Sequence, residues 1–131
     1  MRIPVFAIAS LWLGLAALPA HAGLDILRET RDGILYIDRD SIEKNGDVLR
    51  VMSTQDFHRL QKLDGHEYLS ARAWYDVDCA GRKVRQTSLE IFPENMAMGG
   101  AVHSNKEVQE WQEPAEATRL GAIWKGLCAK R

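Results

Sequence analysis

The sequence predicts an α+β domain, a single antiparallel β-sheet with a C-terminal α-helix packed on one face and tied to it by a disulfide. Three observations carry that expectation. Residues 68–92 read as two strands joined by a turn at Ala80-Gly81-Arg82. The hydrophobic period changes only at the end of the chain, where Leu120, Ile123, Trp124, Leu127 and Cys128 share one face of a helix. The chain's two cysteines, Cys79 and Cys128, fall at the end of the first strand and on that helix face.

The chain opens with Arg2, an apolar run over residues 5–18 and small residues around Pro19-Ala20-His21-Ala22, the pattern of a secretory signal peptide cleaved after Ala22. That run is shorter than the ~20 residues needed to span a bilayer. The expected division is residues 1–22 as a cleaved leader and 23–131 as one domain, with no transmembrane segment in the mature chain. Loss of Arg2 with the leader takes the formal net charge from −1 to −2. Acids and bases are interspersed, which argues against nucleic acid as a partner. Export favours pairing of Cys79 with Cys128, and a closed loop of that length contributes ~4 kcal/mol at best through chain entropy.

Taken in order, residues 24–31 are mixed and open in assignment. Residues 33–38, GILYID, predict the first firm strand, followed by a turn from Asp40-Ser41 to Asn45-Gly46 and a partner strand over residues 47–55. Residues 56–67 are polar and expected to form a loop. In the central hairpin, Leu69, Ala71, Ala73, Tyr75, Val77 and Cys79 alternate with Tyr68, Ser70, Arg72, Trp74, Asp76 and Asp78, so the first set faces the core. The second strand alternates less cleanly. Pro93 and Gly99-Gly100 end it, short strands are expected at 101–104 and 108–112, and the helix should begin soon after Pro114, weakened by Gly121 and Gly126.

Several landmarks then align with one pattern: Tyr36-Ile37-Asp38, Ser41-Ile42, Gly46, Asp56-Phe57, Ser70, Tyr75-Asp76-Val77-Asp78-Cys79, Arg82, Arg85, the loop from Met98 to Gly100, Trp111, Pro114 and Cys128. This set resembles the bacterial surface-adhesin E family across nearly the whole mature chain. The resemblance implies a sheet covered by a disulfide-tied C-terminal helix and an adhesin-like, non-enzymatic protein-binding role in the cell envelope, toward host extracellular-matrix or envelope proteins. The founding members are lipoproteins; no cysteine lies near the expected cleavage site here, so the expectation is an exported protein, periplasmic or secreted, without a lipid anchor.

No Gly-rich phosphate loop, nucleophile elbow or His-Glu-x-x-His motif occurs, and no cofactor is called for. The partner-binding candidates are Tyr68, Arg72 and Trp74 on the face opposite the predicted core, with Lys83 and Arg85 on the next strand, because tryptophan, tyrosine and arginine anchor interfaces. An exposed edge or aromatic patch would also make a homodimer possible. The alternative class is a periplasmic copper-binding protein that uses Met96, Met98 and His103, whose sulfur and imidazole donors suit Cu(I).

Overall fold

The computed structural model describes Arg2, Pro4 and residues 23–129; the expected leader lies outside these residues, save for Arg2 and Pro4. Six strands follow one another in sequence and in space: β1 (Leu24–Glu29), β2 (Gly33–Asn45), β3 (Val48–Leu63), β4 (His66–Asp78), β5 (Lys83–Phe92) and β6 (His103–Asn105). Every neighbouring pair is antiparallel. Among the described residues one α-helix, α1 (Arg119–Cys128), follows the sheet.

The strand alternation read from β4 holds: Ala73, Tyr75 and Val77 are buried in one cluster with Leu35, Ile37, Val51, Val84 and Ile123 of the helix, and Ala71 is buried on the same strand. The untidy pattern of β5 has a physical cause. Trp74 pairs with Ser88 but Tyr75 pairs with Gln86, so Thr87 is an extra residue and the strand changes face there. Val84 before the bulge and Ile91 after it therefore both reach the core.

Residues 24–29, left open by the sequence, form the edge strand β1, with Leu27 inserted between the residues that pair with Tyr36 and Leu35. Residues 56–67, expected as a loop, instead build the distal half of the β3–β4 hairpin. The missed signal is Asp64-Gly65: both residues have positive φ, 49° and 79°, the mirror-image turn that matches strand twist. Similarly, β2 runs through the expected turn to Asn45. Its pairing slips between Asp38 and Glu43, where the Ser41 hydroxyl donates to the Asp38 carbonyl at 2.6 Å and accepts the Met52 amide at 2.9 Å. Residues 108–112 are not a strand: only Gln112 bridges β5, through paired 2.9 Å bonds with Val84, while the Gln109 amide reaches Gln86. The short strand expected at 101–104 appears as β6.

The helix begins at Arg119 rather than directly after Pro114, with Thr118 as N-cap accepting the Gly121 amide at 3.1 Å. Its glycine at 126 costs intrinsic helicity but admits a neighbour, since an added Cβ would lie 2.5 Å from the Leu27 Cδ2 of β1. The disulfide between Cys79 and Cys128 joins the end of the β4 region to the last turn of the helix, with Cα atoms 5.4 Å apart. Burial pushes the Tyr75 phenol above its ordinary range, partly offset by Arg119 and a Ser53 hydrogen bond. Above about pH 10 the unfolded chain releases this proton more readily than the folded one, so stability falls as pH rises through and beyond that value. Denaturant midpoints at pH 8 and pH 11 in wild type and Tyr75→Phe test this, with the excess loss expected only in wild type.

Candidate functional site

Among the described residues no helix covers the sheet face opposite α1, and there the antiparallel register assembles a cross-strand row, Glu43, Arg50, Asp76 and Arg85, from β2 through β5. Asp76 is buried, its side chain 7% exposed, and a buried carboxylate is costly unless its oxygens are satisfied. One oxygen accepts from Arg50 Nε at 3.2 Å and the other from Arg85 Nε at 3.1 Å. Arg85 also lies over the Trp111 ring, 4.4 Å from its centre, with the Lys83 ammonium 5.8 Å from the same centre. Two guanidinium groups thus flank one buried carboxylate. The row of two acids and two arginines is balanced in charge, and it sets Arg85 and Lys83 beside an aromatic ring.

One step along the sheet, Trp74 floors a groove of about 660 Å³, walled by Glu43, Arg50, Ser88, Lys106 and the exposed Val108. The groove follows from the short β6: beyond Asn105 the chain leaves β5 and rejoins it only at Gln109. Arg72 borders the same face, pairing with Glu90 at 3.3 Å and stacking over the buried Phe92 ring at 5.2 Å. Tyr68 sits further out, edge-on to Phe57 at 5.7 Å and away from the Trp74 groove. Of the five residues selected from sequence, Lys83 and Arg85 meet at Trp111, Trp74 lines the groove, and Tyr68 belongs to the hairpin's own packing. Arg50 and Trp111 complete the face, and sequence reasoning missed them because their places depend on register.

At the far end of the sheet, the loop after β5 is held by two buried or half-buried side chains. The Asp56 carboxylate accepts Asn95 Nδ2 at 3.0 Å and the Met96 amide at 2.8 Å. The buried Ser70 hydroxyl donates to the Glu94 carbonyl and accepts the Ala97 amide at 2.8 Å. These bonds support the left-handed backbone of Met96 and Ala97, each at φ 56°. Met98 is 63% exposed, and His103, on β6, stacks on His66 at 5.5 Å. Among the described residues, no group of three or more His, Cys, Asp or Glu side chains is placed to hold a metal ion.

Residues 24–129 match the family model described as Surface-adhesin protein E. The chain belongs to that family. Its fold is shared with solved structures of low sequence identity. One crystal form of Haemophilus influenzae protein E superposes with a TM-score of 0.67 at 16% identity, covering 84% of this chain and 90% of that one. A second structure, of protein E from non-typeable Haemophilus influenzae, gives 0.63 at 16% identity over 84% and 78%. No curated protein matches the sequence. Membership of the surface-adhesin E family agrees with the resemblance read from the YDVDC strand end and the terminal cysteine. Among the described residues, no helix is long and apolar enough to cross a membrane.

Proposed function

We propose that this surface-adhesin E member is an exported, non-enzymatic protein-binding module of the bacterial envelope, and that it binds through the sheet face opposite its helix. The observation that supports this reading most is the grouping of Trp74, Arg50 and Lys106 in one open groove, beside Arg72 and the Arg85–Trp111 stack. Large aromatic side chains bury much area at little conformational cost and the arginine head is planar with several donors, which suits both to anchor a protein partner. The rim carries both signs of charge, through Glu43, Glu90, Arg50 and Lys106, so the face favours a protein surface of mixed charge over a polyanion. Extracellular-matrix or envelope proteins are the partner class that family membership brings forward.

The test is a binding panel of extracellular-matrix proteins and envelope extract, comparing wild type with Arg72→Ala/Trp74→Ala after circular dichroism has shown both folded. Saturable binding weakened at least tenfold in the double variant, about 1.4 kcal/mol, is the expected result. Absence of any partner, or binding unaffected by the substitutions, refutes this assignment of the face.

A further inference from the structure

We propose that His66 and His103 are the protein ligands of a surface site for copper(II), outside the lining of the Trp74 groove. His66 opens β4 just after the hairpin turn, and His103 opens the edge strand β6. The fold brings these remote residues together with ring centres 5.5 Å apart and planes inclined by 26°. Both are half-buried, and both backbones are held by strand pairing, His66 opposite Leu63 and His103 opposite Ile91.

That separation suits a shared metal. With a metal–nitrogen bond of ~2.0 Å and the ring centre about 1.1 Å behind the nitrogen, two imidazoles have centres about 4.4 Å apart at the right angle of tetragonal Cu(II) and about 5 Å apart at a tetrahedral angle, so a closing movement of about 1 Å from 5.5 Å suffices. Rotation about χ2 of histidine is soft, so the nitrogen edges can turn toward a common point while the backbone stays paired. Two strands fix the pair, which lowers the ordering cost of binding. The neighbouring acid Glu67 is engaged by Lys62 at 3.8 Å, which leaves the two imidazoles as the donors of the site.

The donor type selects the ion. Imidazole serves copper, zinc and nickel, and affinity among divalent first-row metals peaks at Cu(II). The remaining coordination positions are open to water or a small exogenous ligand. The exposed Met98 thioether, on the loop leading into β6, is a soft donor that favours Cu(I), so the two oxidation states separate an imidazole site from a methionine site. Because protons compete for the same nitrogens, Cu(II) affinity falls on acidification.

The experiment is a titration of the folded protein with Cu(II), followed by calorimetry and electron paramagnetic resonance, with Zn(II) as a second probe. One equivalent of Cu(II) with nitrogen hyperfine structure is expected, weakened at least tenfold in His66→Gln and in His103→Gln. His58→Gln, on the exposed part of β3, and Met98→Leu leave it unchanged. In wild type, paramagnetic broadening of the His66 and His103 ring signals, with His58 spared, gives the same answer even where a variant fails to fold. Cu(II) binding that survives both histidine changes, or broadening that spares this pair, overturns the proposal. Failure of the partner panel leaves it standing, since the Trp74 groove shares no residue with this pair.

Discussion

Replacing both cysteines, Cys79→Ala with Cys128→Ala, lowers folding stability by roughly 2–5 kcal/mol, the range for removing a native disulfide from a small domain. The helix explains why the loss is large. It has ten residues and two glycines, and an isolated helix of that length is marginal in water. Its buried anchor is Ile123, fully enclosed, with Leu120, Trp124 and Leu127 packing around it against Leu27, Tyr75 and Val84. Trp124 receives Arg82 over its ring at 4.8 Å, from the turn that the disulfide also holds. Without the bridge, the last turn separates from that corner and the core residues beneath gain solvent. Urea unfolding monitored at 222 nm and by tryptophan fluorescence is the measurement. A loss below about 1 kcal/mol would show that Ile123 packing alone seats the helix, and the bridge would then be incidental to stability.

Gly33→Ala has the second large effect, an expected loss of about 2–4 kcal/mol, because no small rearrangement makes room for the methyl group. Gly33 is buried at the start of β2, opposite Phe57 of β3. Its carbonyl accepts the Thr30 amide at 2.9 Å and its own amide donates to the Thr30 carbonyl at 3.3 Å, so the turn from β1 fixes it from one side. On the other side an added Cβ would overlap the Asp56 carbonyl oxygen, which is backbone. Displacing Asp56 then disturbs its bonds to Asn95 and Met96, so the loop after β5 loosens with the strand. Gly46→Ala is the control: nothing lies within 4 Å of the new atom, and only the left-handed backbone at φ 62° resists it, at roughly 1 kcal/mol. Equal losses at the two positions would remove the packing argument.

The candidate face was partly legible because alternation puts Arg72 and Trp74 on one side of β4 whatever the strand's neighbours are. Arg85 was legible as a residue on the next strand, but not as the partner of Asp76 and Trp111. Three irregularities hide those contacts. The extra residue at Thr87 changes the face of β5, the slip around Ser41 moves Glu43 opposite Arg50, and the 106–112 segment rejoins β5 only at Gln109 and Gln112. Likewise His66 lay in a stretch read as loop, and its stacking on His103 depends on where a hairpin tip meets an edge strand.

From the residues alone came the period-two core face of β4, the helical stripe ending in Cys128, and the pairing of the two cysteines. Each rests on a local period or on there being a single partner to choose. The bulges, the length of the β3–β4 hairpin, the groove beside Trp74 and the two-arginine clasp on Asp76 were decided only in three dimensions. A side chain's face follows from its own strand, but its neighbour across the sheet follows from register, and one inserted residue shifts every pairing beyond it.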